Sequence, residues 1–168
     1  MPWSVVALLL VVTFVLQTAV VSLMGLHYAD LFLSLALLCG LVMPIYDGRI
    51  AAWAIGLVQG LGSQDALGIH ALLLGLAAIL LTNLRAAVNL SLWWARWLIA
   101  FVAAWPVQIL YLAYQRFAEG QTVGWIEIVF GSAFSALIAG LFAALVTALP
   151  ILVTTRRVSE GRRSARRS

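Results

Sequence analysis

The sequence predicts an all-α, polytopic membrane protein of six transmembrane helices, and three observations predict it. Of its 168 residues, 64% are hydrophobic and 10% are charged, and the mean hydropathy is +1.08; a water-soluble chain of this length lacks the polar residues to cover such a composition. The apolar residues fall in six uncharged stretches, and roughly 20 mainly apolar residues suffice to cross about 30 Å of hydrocarbon. Finally, the basic residues lie between alternate stretches and in the final segment, the asymmetry that orients a multi-pass protein.

The first span covers residues 3–23. It has no basic segment before it and is long for a signal peptide, so it is expected to be retained. The second covers residues 31–46 and ends near Pro44. The third, residues 50–61, is shorter still, and a helix of twelve residues reaches only about 18 Å. Either Asp47, Gly48 and Arg49 then lie in the interface, or the span is broken or re-entrant and continues through Gly60, Gly62 and Ser63. The fourth covers residues 69–84 and the fifth residues 97–115, where Pro106 is expected to kink the helix with Gln108 helping to satisfy the freed backbone. The sixth covers residues 126–153. Residues 1–153 therefore form one six-helix domain, and residues 154–168 an arginine-rich tail expected to be disordered.

The pI near 10.0 misleads unless charge is divided by position. The tail carries six Arg against one Glu, whereas the other 153 residues carry four Arg against five acids. A cytoplasmic tail leaves Arg49, Arg85 and Arg96 in cytoplasmic loops and only Arg116 outside, so both termini are expected in the cytoplasm. About 1 kcal/mol per basic residue near an anionic leaflet would also let the tail touch membrane lipid. Residues 85–97, with Val88, Leu92 and Trp93 against Asn89, Ser91 and Arg96, suggest an amphipathic helix in the interface, anchored by Trp93, Trp94 and Trp97. Nucleic-acid binding is disfavoured, because the body has no basic surface interleaved with aromatics. One cysteine, Cys39, and two distant histidines, His27 and His70, supply neither a disulfide framework nor a metal site, and no cofactor is expected.

Span six carries two ridges of small residues: Gly131, Ser135, Ala139, Ala143 and Thr147 on one, Ser132, Ala136, Gly140, Ala144 and Ala148 beside it. Such ridges let another helix backbone approach closely where lipid offers no hydrophobic drive. Packing inside the bundle is the simpler reading; a groove for a partner helix is the functional one, with Gly131, Ser135, Ala139 and Ala143 as its candidates. Polar residues gather at the outer ends of spans two to four: Asp30, Gln59, Asp65, Gly68 and His70, with His27, Tyr28 and Gln64 nearby. An acid heading a helix is also favoured by the helix dipole alone, and His70 could simply cap span four. No span interior contains Asp, Glu, His or Arg, so paired carboxylates or a nucleophile beside a base are missing at depth. The chain is not expected to be an enzyme.

The segment from Gly56 to Leu72, Gly-Leu-Val-Gln-Gly-Leu-Gly-Ser-Gln-Asp-Ala-Leu-Gly-Ile-His-Ala-Leu, resembles the central signature of the rod shape-determining protein MreD family, Gly-Leu-Leu-x-Asp, a small-residue turn, then Leu-Gly-x-His-Ala-Leu. Asp30-Leu31 resembles the family's Pro-Asp-Leu, and Leu16-Gln17-Thr18 its Leu-Gln-Thr or Leu-Gln-Ser. Two positions depart from the pattern: Ala29 replaces Pro, and Gly60 stands where the family usually has Asp, so that either Gln59 or Asp65 makes any contact that Asp makes or the contact is absent here. The resemblance implies a non-enzymatic inner-membrane scaffold of the bacterial cell-elongation complex, acting in cell shape and peptidoglycan synthesis. Its implied partners are an MreC-like bitopic membrane protein and, indirectly, MreB filaments and the synthase pair of RodA with its penicillin-binding protein. It also implies a fold like the S component of energy-coupling-factor transporters, six helices around a central cavity. That fold leaves an alternative function, small-molecule (vitamin) binding for such a transporter, although span one lacks the small-residue face expected for docking a coupling subunit.

Overall fold

The computed structural model describes residues 1–21, 30–63, 68–88, 92–118 and 124–148. Among them every regular element is helical: α1 (Trp3–Val15), continued by a π-helical segment (Leu16–Val21), α2 (Leu31–Val42), α3 (Ile45–Gly62), α4 (Ile69–Ala87), α5 (Trp93–Ala118) and α6 (Trp125–Ala148). By length and composition α4, α5 and residues Ile128–Thr147 of α6 can each cross a membrane; α1 and α2 are shorter apolar helices. His27, Tyr28, Ala29, Gln64, Asp65, Glu119 and the arginine tail lie outside the described residues.

Helix α2 is the hub. Its sequence, LFLSLALLCGLV, is apolar on every side, and every residue from Phe32 to Leu41 is buried; a helix without a polar stripe has no face to offer water. It touches each of the other five helices, while α3 pairs with α4, α4 with α5, and α5 with α6. At 12 residues it spans about 18 Å, less than a bilayer core, but its neighbours shield it on all sides.

Contacts between helix ends give alternating directions. Phe14 of α1 meets Phe32 of α2, ring centroids 6.3 Å apart. Near the start of α3, Arg49 Nε donates to Thr82 Oγ1 at 2.9 Å and Nη2 to Asn83 Oδ1 at 2.8 Å, both near the end of α4. Arg85 Nη1 donates to the carbonyls of Gly40 and Met43 at 3.0 and 2.8 Å, where α2 ends, and Arg96 Nη1 reaches the Thr147 carbonyl at 3.3 Å, where α6 ends. Three arginines thus occupy one end of the bundle, two of them on helix C-terminal carbonyls that favour cations.

Two sequence expectations are corrected. The helix over the third apolar stretch is neither short nor broken: α3 is a continuous helix of 18 residues that begins at Ile45 and includes Asp47 and Arg49. Pro44 precedes it as N-cap and Asp47 sits in its first turn, positions at which proline costs no hydrogen bond and an acid suits the helix dipole, while Arg49 is satisfied by α4. Among the described residues of 85–97 there is no separate interfacial helix. Arg85 belongs to the last turn of α4, and Trp93, Trp94 and Trp97 open α5, which leaves too few residues between the two helices for another. Helix α5 runs on through Pro106.

The closest backbone approach joins α3 to α4. A Cβ on Gly56 would lie 2.5 Å from Ala71 Cα and 2.6 Å from the His70 carbonyl oxygen, whereas one on Gly60 would meet nothing nearer than Gly68 N at 3.7 Å. Gly56→Ala is therefore expected to force α3 and α4 apart and cost about 1–3 kcal/mol, while Gly60→Ala gains up to about 1 kcal/mol. Thermal unfolding of the detergent-solubilised variants measures both; equal midpoints would contradict the described packing.

Candidate functional site

The site is built around the start of α2. A helix end inside a bundle must satisfy its first N–H groups without water, and three sources do so here. Asp30 is the N-cap residue, and its Oδ1 accepts from Leu33 N at 3.0 Å. Its own carbonyl accepts from Ser34 N at 3.2 Å. The Leu31 N–H donates to Gln17 Oε1 at 3.0 Å, across from the π-helical segment that follows α1. A π-helical turn is wider than an α-turn and often sits at functional sites. Here Thr18 Oγ1 donates to the carbonyls of Phe14 and Val15, at 2.8 and 3.3 Å, and Gln17 is turned onto α2.

Asp30 also opens a small polar cavity of about 10 Å³, lined by Asp30, Leu33, Gln59, His70, Leu73, Leu74, Val107, Gln108 and Tyr111. That is room for about one water molecule. Helix α3 brings Gln59, whose Nε2 donates to Asp30 Oδ2 over a long 3.5 Å. Its other amide atom, Oε1, is buried with no hydrogen-bonding partner, which costs about 1–3 kcal/mol when nothing else fills the need. Helix α4 brings His70, which is buried and packs its ring on Tyr111 of α5 with centroids 5.2 Å apart. Gln115 Nε2 in turn donates to the Tyr111 hydroxyl at 2.9 Å. Gly68 precedes α4 as its N-cap with φ 99°, a left-handed conformation that other residues adopt at a cost, and this sets the entry of His70 into the site.

Of the residues singled out in the sequence, Asp30, Gln59 and His70 line one cavity and Gly68 positions the last of them. Gln59 of α3 makes the side-chain contact with Asp30. The side chains of Gln108 and Tyr111, both of α5, line the same cavity. Both lie far along the chain from Asp30, and their only sequence signal was polarity one turn apart on an apolar helix.

The small ridges of α6 pack inside the bundle, the simpler of the two readings. Ser135, Ala139 and Ala143 are buried, as are Ser132, Ala136, Gly140 and Ala144, and Gly131 is partly covered. The helices that α6 touches are α2 and α5, with Trp105 Nε1 donating to Ser132 Oγ at 3.2 Å and Gly140 close to the Phe101 backbone. The ridges are occupied by the chain itself, and the outward face is bulky, with Phe130, Phe134, Leu141 and Leu145 exposed. Among the described residues no Ser, Thr or Cys lines the cavity, and no three His, Cys, Asp or Glu come together as a metal site.

No protein-family model, curated protein or solved structure matches the chain.

Asn caps a helix about as well as Asp, which separates the two tasks of residue 30. Asp30→Ala is expected to cost about 2–3 kcal/mol, from loss of the cap and of the charged partner of Gln59, and Asp30→Asn about 1 kcal/mol or less. Unfolding midpoints of both variants in the same detergent test this, and equal losses would mean that the cap is not what the carboxylate supplies.

Proposed function

We propose that the chain is a non-enzymatic scaffold of the bacterial inner membrane, of the rod shape-determining MreD type, that crosses the membrane six times and joins an MreC-like bitopic protein to the cell-elongation machinery. One observation carries the reading. The three short motifs behind the family resemblance are scattered between Leu16 and Leu72, yet their polar residues meet in space: Gln17 on Leu31 N, Asp30 on Leu33 N, Gln59 on Asp30 and His70 on the same cavity. Motifs that matched by accident in apolar sequence would have no reason to converge on one helix start.

The six-span reading is supported by the alternating helix directions and by the hub position of α2, which removes the need for that short helix to span lipid by itself. The clustering of Arg49, Arg85 and Arg96 at one end favours that end, with both termini, on the cytoplasmic side. The polar cavity then lies towards the outer leaflet, where a bitopic partner with a periplasmic domain enters the membrane. A vitamin-binding S component is the weaker reading, since ligand pockets run to about 300–1,000 Å³ against a cavity of about 10 Å³ here.

Crosslinking in native membranes followed by mass spectrometry of the tagged full chain tests the proposal. It is expected to recover a bitopic membrane protein together with peptidoglycan synthases, and depletion of the chain is expected to turn rod-shaped cells round. Recovery of a coupling subunit with an ATPase pair, or unchanged cell shape on depletion, would overturn it.

A further inference from the structure

At the arginine end of the bundle, the start of α3 and the end of α4 join two exposed apolar stripes. On α3, Tyr46, Ile50, Trp53, Leu57 and Leu61 are all exposed, and at 3.6 residues per turn they fall within an arc of about 80°. From Ile50 to Leu61 the stripe runs about 16 Å, close to half of the roughly 30 Å hydrocarbon core. On α4, Leu72 and Ile79 are exposed, and one turn further the same row ends at exposed Asn83. Trp53 lies against Gly75 of α4, where a Cβ would collide with the indole, so the two helices present one continuous surface. The stripes meet at a polar head: Arg49 Nη2 donates to Asn83 Oδ1 at 2.8 Å in an exposed bond, and Nε to Thr82 Oγ1 at 2.9 Å.

Apolar residues that face lipid need no special occupant, but the arginine at their head calls for one. Both of its acceptors are neutral, so α4 takes two of the five guanidinium N–H groups and fixes the planar fork without cancelling its charge. A fork held in this way suits a phosphate, which it can bind through two parallel hydrogen bonds. Tyr46, 78% exposed, stands one turn before Arg49 and brings a hydroxyl donor to the same side. Trp93 and Trp94 are exposed at the start of α5 at this end, the kind of residue that gathers at headgroup depth. We propose that this surface holds one anionic phospholipid, its phosphate on Arg49 and Tyr46 and an acyl chain along the α3 stripe. Charge complementarity selects a headgroup of net negative charge over a zwitterionic one. Arg85 and Arg96 strengthen the positive field there, since their carbonyl acceptors are neutral too. A leaflet-long apolar stripe beneath the charge selects a lipid over a free phosphate. The proposal rests on the chain crossing a membrane and not on the scaffold reading.

The test is thermal unfolding of the purified full chain in detergent, with phosphatidylglycerol or phosphatidylcholine of the same acyl chains added to the micelles. At ten times its dissociation constant, phosphatidylglycerol is expected to raise the midpoint by about 4 °C, saturably, and phosphatidylcholine by about 1 °C or less. Arg49→Gln gives up the bonds to α4 and unfolds earlier in detergent alone, so its readout is the difference between the two lipids, which a loss of packing leaves unchanged and which is expected to vanish. Tyr46→Phe breaks no bond between the helices and is expected to keep the detergent midpoint while losing about half of that difference. The arginine tail is present in every variant, so an undiminished difference in either one assigns the lipid effect elsewhere on the chain and overturns the proposal. Equal wild-type midpoints in the two lipids overturn it as well. So does a full rise with inorganic phosphate alone, which would make this an anion site without a lipid, or a midpoint that climbs with protein concentration before lipid is added, which would place a second copy of the chain over the stripes.

Discussion

A carboxylate at the start of a helix that is buried on every side is the contact on which this bundle turns. Helix α2 has no lipid-facing or water-facing stripe, so its first N–H groups must find acceptors from the protein or go unmet. Asp30 supplies two acceptors, its side chain and its carbonyl, and Gln17 supplies a third from the neighbouring π-helical segment. Once α2 is seated, the other five helices pack against it, and the apolar character of LFLSLALLCGLV becomes intelligible as that of a helix surrounded by other helices.

The two ends of the bundle are built differently. At one end, arginines bind carbonyls and side chains at helix ends, an arrangement in which two of the three cations sit on C-terminal carbonyls where the helix dipole favours them. At the other, Asp30, Gln59, His70, Gln108 and Tyr111 line a small space with a carboxylate and, among the described residues, no arginine. Between them the contacts are of small residues on apolar helices, Gly56 on Ala71 and Gly140 on Phe101, which permit close approach in a medium that does not drive helices together by hydrophobicity. Such a body is closely packed at its centre and chemically distinct at its two ends.

How much of this was readable in the sequence differs by element. Helices α4, α5 and α6 are long uncharged runs, and their spans could be placed within a few residues. Helix α3 could not, because Asp47 and Arg49 look like the end of an apolar stretch until Thr82 and Asn83 are seen to receive the arginine. The ridges of α6 were visible as a packing surface, but the identity of what packs there, α5 and α2 of the same chain, is a tertiary fact. Asp30, Gln59 and His70 could be chosen through their motifs. Gln108 and Tyr111 could not be added to them, since nothing local says that α5 passes that cavity, and the role of Gln17 depends on a π-helical turn that apolar periodicity does not reveal.

The central claim is that Asp30 and Gln59 act together to hold α2 against α3 at the end of the bundle where α2 begins. A double-mutant cycle of Asp30→Ala and Gln59→Ala, read by reversible unfolding in mixed micelles, measures that directly. A coupling of about 1 kcal/mol is predicted for a buried polar pair between packed helices, and strictly additive losses would contradict it.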